Sequence, residues 1–186
     1  MLKNADYIYN NVIIADEINT TKKYCKKATG VDLSVKDIFD ISKPGIVFKD
    51  KTIVYPYTKR EKKYIKVDKY EFKGWFLPQG SYILFLNEGC RFGPKDVGYI
   101  VLRSSFNRNS TSVQSAIRDP SFSTKNERGE VVPMSIRLTV DTPLGIYIEE
   151  NSRVGQLLVW EIEDGAEQYN GQWAGGVTIS RLAGEK

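Results

Sequence analysis

The chain has 186 residues, 41 % apolar and 27 % charged, with a formal net charge of +4. That composition suits one soluble globular domain with a real core; no run approaches a membrane span, the N-terminus lacks a leader-like apolar stretch, and a cytoplasmic protein is expected. Histidine is absent and Cys25 and Cys90 are the only cysteines, which excludes Cys/His zinc sites, the zinc-dependent base deaminases and histidine-based nucleophilic triads. Any general base must therefore be a carboxylate, Lys, Tyr or Cys.

In chain order, the first dozen or so residues can form a helix. Short apolar runs then follow at 46–48, 53–55, 64–67, 81–86 and 99–102, and later at 134–140, 144–148 and 156–162. They are rich in Ile, Val, Tyr and Phe, and Gly, Pro, Asn or Asp separates many of them, so they read as strands. Many short strands at this spacing predict a sandwich, jelly roll or barrel. A short helical turn is expected after Arg103. No repeat or low-complexity linker divides the chain. The small-residue tail, 169–186, reads as a flexible arm appended to a β domain spanning 1–168. Basic residues cluster at 22–27 and 59–63; these are either solvated surface or a patch that steers nucleotides or nucleic acid.

Four segments carry candidate chemistry. Arg103-Ser104-Ser105-Phe106-Asn107-Arg108 follows a strand. Arg offers a planar fork matched to phosphate oxygens, the hydroxyls add donors, and Ser is a favoured N-cap. The same residues also read as a surface Arg with a capping Ser. Asp119, in Ile117-Arg118-Asp119-Pro120-Ser121-Phe122, is either a turn-forming Asp or a carboxylate able to take a proton from water. Ala28-Thr29-Gly30-Val31-Asp32-Leu33 is either turn chemistry or a strand start placing Asp32 in a site. In Gly155-Gln156-Leu157, Gly155 would admit a close ligand and Gln156 would donate to phosphate, or the run is a strand with one polar residue.

Taken in order, these segments resemble the dUTPase/dCTP-deaminase superfamily, closest to its archaeal, deaminase-type branch. Residues 28–33 look like AxGxDL, and Phe76-Leu77-Pro78-Gln79-Gly80-Ser81-Tyr82 with Asn87-Glu88 resembles LxPGxFxL…TxE. Residues 103–108 resemble RSSLxR, Asp119-Pro120-Ser121-Phe122 the DPGW/DPGF turn, and Gly155-Gln156-Leu157 the GQL element. Tyr169-Asn170-Gly171-Gln172-Trp173, ending in Ser180-Arg181, resembles the family's C-terminal arm.

The resemblance implies an all-β distorted jelly roll or β-barrel with a short helix, forming a homotrimer with active sites between subunits. It implies hydrolysis of dUTP to dUMP and pyrophosphate with Mg²⁺, held mainly by triphosphate and water rather than by direct protein ligands. Asp119 would activate water, with Arg103, Ser104, Ser105, Arg108 and Gln156 around the phosphates. Asp32 would hold metal-bound water or fix the site wall. Backbone of the hairpin near 113–117 would read uracil, Phe122 would lie near the deoxyribose, and the arm from Tyr169 would close over the substrate. No membrane or nucleic-acid partner is implied.

Two reactions occur in the family. Its deaminases need a Glu on the strand after the DPGW turn; counting back from Gly155-Gln156 places that position at Arg137, and Arg does not shuttle protons at neutral pH. The alternatives are dCTP deamination, a bifunctional enzyme, or a non-catalytic nucleotide-binding trimer. Arg118 departs from the family's apolar residue, and a pair with Asp119 would blunt that base.

Overall fold

The structure is a computed structural model that describes residues 1–15, 29–49, 52–54, 56–125 and 131–163. The predicted arm, Tyr169, Cys25 and the 22–27 basic run lie outside the described residues. Among those described, the fold is all-β with two helices, α1 (Ala5–Asn11) and α2 (Ser104–Asn107). Asn4 caps α1, its side chain accepting from the Tyr7 N–H at 2.9 Å. The Tyr7 hydroxyl donates to Asp96 at 2.8 Å and fixes the helix against the barrel.

The principal sheet has seven strands. Six run in the order β10 (Asp96–Leu102), β14 (Arg153–Glu161), β2 (Val31–Asp40), β8 (Gly80–Leu86), β12 (Ser135–Val140) and β11 (Thr111–Gln114); β5 (Thr58–Lys59) also pairs with β2. The sheet is nearly closed. Its outer members, β10 and the chain leaving β11, are joined by an antiparallel bridge between Gly98 and Arg118. Two backbone bonds make that bridge, at 2.8 and 2.9 Å. A three-stranded sheet, β13 (Ile146–Glu149), β7 (Tyr70–Leu77) and β6 (Lys63–Val67), stands beside it. The pairs β1 (Ile13–Ala15) with β9 (Glu88–Cys90) and β3 (Ile46–Val47) with β4 (Thr52–Ile53) complete the architecture. No helix among the described residues is long and apolar enough to cross a membrane.

Alternation fills the core. Val31, Leu33 and Val35 of β2, Leu84 and Leu86 of β8, Leu138 of β12, and Leu157 and Val159 of β14 are all buried, as expected for one apolar face of each strand. The polar residues between them are not solvent-facing: Asp32, Ser34 and Asp37 are buried as well.

Glu88 serves the scaffold. Its carboxylate is buried and accepts from the Ser34 N–H at 3.0 Å and the Ser34 hydroxyl at 2.8 Å, tying β9 to β2. Burial pushes its pKa up from 4.5 to about 7, with the Ser34 bonds only partly opposing the shift. Between these two values the folded chain holds a proton that the unfolded chain releases, so stability falls as pH rises through that window. A shift of this size corresponds to roughly 3 kcal/mol. Glu88→Gln, which keeps the shape of the protonated acid, should flatten that slope. Urea midpoints of the two proteins at pH 5 and pH 8 decide it, and parallel profiles would refute the assignment.

Candidate functional site

Three adjacent strands assemble the first cluster. Val101 of β10, Gln156 of β14 and Asp32 of β2 are direct cross-strand partners, so their side chains share the face opposite core residues Val31 and Leu157. Asp32 is only 2 % exposed. Its Oδ2 meets Arg103 Nε at 3.3 Å and Arg153 Nη1 at 3.2 Å. Arg103 Nη1 also donates to the Arg153 carbonyl at 3.2 Å. Burying a lone carboxylate would cost several kcal/mol. Here the two guanidiniums offset its charge, and Asp32 in turn anchors them while their outer edges stay open to solvent.

Ser104 and Ser105 are exposed at the start of α2, and Arg108 is exposed at its end. The expected Ser cap is corrected: Arg103 occupies the N-cap position and makes no side-chain cap bond, because a guanidinium has no acceptor to offer the free N–H groups; it is turned to Asp32 instead. Gly155 is also corrected. A Cβ there would lie 2.8 Å from Ile100 Cγ2, so the glycine serves strand packing rather than ligand approach. Gln156, half-buried, stays on the Asp32 face.

Arg153 was missed from sequence. It stands three positions before Gln156, which in a regular strand places the two on opposite faces. A register shift between Arg153 and Gly155 pairs Arg153 with Ser34 and Gln156 with Asp32; Ser34 and Asp32 are two apart, so the shift returns Arg153 to the Asp32 face. The resulting set, Arg103, Arg153, Ser104, Ser105 and Gln156 around Asp32, offers two guanidinium forks and two hydroxyls suited to phosphate oxygens.

The second cluster surrounds a cavity of about 390 Å³ lined by Ile83, residues 114–119, Phe122, Thr124 and residues 133–137. Asp119 opens a β-turn closed by the Phe122 N–H to Asp119 carbonyl bond at 3.1 Å. Pro120 presets the turn, and Ser121 takes the left-handed position with φ 61°. Asp119 is the single carboxylate among the described residues of the lining. Arg118 does not pair with it: no ion pair joins them among the described residues. The Arg118 guanidinium instead donates to the Ala116 carbonyl at 3.2 Å and the Ser135 carbonyl at 3.0 Å, and lies 5.6 Å from the Phe122 ring centre. Arg137 lines the same cavity from β12, with Nη2 donating to the Ser81 hydroxyl at 3.2 Å.

The chain does not bring the two clusters into one cavity: none of Asp32, Arg103, Ser104, Ser105, Arg108 or Gln156 lines the space around Asp119 and Phe122. The described basic run near residue 60 belongs to neither cluster. Lys59 pairs with Asp37 at 2.9 Å, Arg60 with Asp40 at 2.6 Å and Lys62 with Glu150 at 3.3 Å, which favours the solvated-surface reading of that segment. No group of three or more Cys, His, Asp or Glu able to hold a metal occurs among the described residues. Asp32, beside the phosphate-binding set, is engaged by guanidiniums.

The sequence model of a family described as dCTP deaminase-like matches residues 5–162. A probable deoxyuridine 5'-triphosphate nucleotidohydrolase of Archaeoglobus fulgidus is 26 % identical over 59 % of this chain and 61 % of its own length. A protein of the same name from Aeropyrum pernix is 29 % identical over 72 % of this chain and 74 % of its own. In structure, the 2'-deoxycytidine 5'-triphosphate deaminase of Agrobacterium tumefaciens matches with a TM-score of 0.50 and 16 % identity, over 79 % of this chain and 42 % of that one; it speaks for the fold alone. The match thus spans less than two thirds of the Archaeoglobus protein and of the deaminase.

The Asp119 turn makes a direct prediction. Non-glycine residues at left-handed positions cost about 1 kcal/mol or more. Ser121→Gly should therefore raise stability by roughly 0.5–1 kcal/mol after its own entropy cost. Denaturant unfolding measures this, and an equal loss would contradict the turn geometry.

Proposed function

We propose that this chain, which belongs to the dCTP deaminase-like family, hydrolyses dUTP to dUMP and pyrophosphate. The observation that carries the reading is the acid count around the cavity among the described residues: one carboxylate, Asp119, with Arg137 of β12 at the position where the resemblance puts the deaminases' Glu. Hydrolysis needs one base to hold and deprotonate water. Ring deamination needs a proton shuttle at the base, and a guanidinium does not supply one. The names of the two archaeal relatives point the same way.

In this mechanism Asp119 takes a proton from water as its oxygen attacks the α-phosphorus and the bond to the pyrophosphate oxygen breaks. Arg103, Ser104, Ser105, Arg108 and Gln156, with Arg153, bind the phosphates, and Asp32 keeps the two guanidiniums aimed. Phe122 packs near the deoxyribose, and the arm bearing Tyr169 closes over the triphosphate. Mg²⁺, when bound, would neutralise charge on the triphosphate, whose oxygens and water would hold it. Because the two clusters line different parts of one chain, the complete site takes the Asp119 cavity from one subunit and the phosphate-binding set from a neighbour in a homotrimer.

The purified protein with Mg²⁺ should convert dUTP, and not dCTP, dTTP or UTP, to the monophosphate and pyrophosphate. Asp119→Asn should lower kcat by roughly a hundredfold to ten-thousandfold. Ammonia release from dCTP would restore the deaminase reading. Tight dUTP binding without product would select the non-catalytic one.

Subunit sharing has its own test. Arg103→Ala and Asp119→Asn, each inactive alone, should recover up to about a quarter of wild-type activity after unfolding and refolding together, since random trimers then contain intact composite sites. A mixture as inactive as its components would place both clusters of each site in one chain.

A further inference from the structure

The cavity beside Asp119 carries information about the base it accepts that goes beyond the reaction. Arg137 lies directly opposite Gln114 of β11 and Ile83 of β8. Cross-strand partners share a face, and all three residues line the cavity. One wall is therefore a row across three strands: an amide, a guanidinium and an apolar side chain. Arg137 is exposed and forms no ion pair among the described residues; its one recorded bond goes to the Ser81 hydroxyl at 3.2 Å. Its remaining N–H groups are available to a ligand. Arg118, the other cation of the lining, is different. Its two terminal nitrogens bond to the Ala116 and Ser135 carbonyls and so fix the wall, and its Nε is buried without a hydrogen-bond partner among the described residues.

Guanidinium groups donate and never accept. A ring edge carrying oxygen satisfies them, whereas a ring edge carrying an amino group sets donor against donor and leaves both unpaired in a desolvated space. We propose that Arg137 is a specificity-determining residue of this cavity, donating to a carbonyl oxygen on the ring edge of an oxo-pyrimidine and rejecting the amino-pyrimidine. The assignment rests on the nucleotide reading above. It makes no distinction between uracil and thymine, which present the same ring oxygens.

The test uses equilibrium binding, so that it does not depend on turnover. Calorimetry with α,β-imido-dUTP and α,β-imido-dCTP, in the presence of Mg²⁺, gives the ratio of the two affinities for wild type, Arg137→Leu and Arg137→Glu. Wild type should favour the uracil analogue. Arg137→Leu should reduce that preference about tenfold or more, and Arg137→Glu, which supplies an acceptor, should reverse it. The α,β-imido-dTTP ratio to the uracil analogue should not change in either variant. A uracil-to-cytosine ratio within about twofold of wild type in both variants would overturn the assignment, as would a wild type without preference. Selective binding with no dUTP hydrolysis would remove the hydrolase reading and leave Arg137 in its role. Hydrolysis with an unmoved ratio would do the reverse.

Discussion

The bridge between Gly98 and Arg118 is the constraint on which the site depends. It joins the two outer members of the principal sheet, and it fixes the backbone one residue before Asp119. Gly98 has to be glycine for the bridge to form, because a Cβ would fall 2.4 Å from the Phe92 ring. Arg118 then uses its side chain for a second purpose. Its bonds to Ala116 and Ser135 span from the hairpin to β12, and its stacking on Phe122 holds the far side of the turn. Asp119 thus projects from a segment braced on both sides, although the turn itself is a loop. An apolar residue at 118 could keep the backbone bridge but not the side-chain span.

Two buried carboxylates show how differently one fold can treat the same group. Glu88 meets neutral donors, from Ser34 and its own backbone, so desolvation wins and the acid is pushed up to about 7. Asp32 meets two guanidiniums instead. Its burial becomes a way of orienting cations: the forks of Arg103 and Arg153 are held from behind and face outward beside Ser104 and Ser105. A buried ion pair of this kind adds little net stability compared with apolar packing. What it gives is direction, which suits the phosphate-binding role proposed for the two guanidiniums.

Much of the barrel was legible because Ser135–Val140 alternates in the ordinary way and Gly80–Leu86 carries a continuous run of strand-forming apolar residues. β2, the longest strand, was legible only at its start. Asp32, Ser34 and Asp37 break its apolar signal, and each is buried through a partner distant in sequence: Arg103 and Arg153, Glu88, and Lys59. Of the cluster around Asp32, Arg103 and Gln156 were singled out through their motifs, yet Arg153 was hidden by the register shift that returns it to the Asp32 face. Local residue preference suggested a Ser cap, whereas Arg103, a donor-only side chain, takes the N-cap position. For Gly155 it suggested room for a ligand, whereas the close approach of Ile100 already requires the glycine.

The position of Arg137 ties base selection to the choice of chemistry. One side chain on β12 faces the ring in the proposed mode of binding, so it has to serve either as a reader or as a proton shuttle. A carboxylate there can accept a proton and also a hydrogen bond from an amino group, which suits deamination of an amino-pyrimidine. A guanidinium can only donate, which suits an oxo-pyrimidine and removes the shuttle in the same step. Among the described residues of the cavity, Asp119 is then left as the only carboxylate, and it stands on the turn rather than on β12. In the proposed mode of binding, selectivity for the oxygen-bearing base and restriction to attack at phosphorus follow from one substitution of charge. Neither property requires a change in the barrel that presents them.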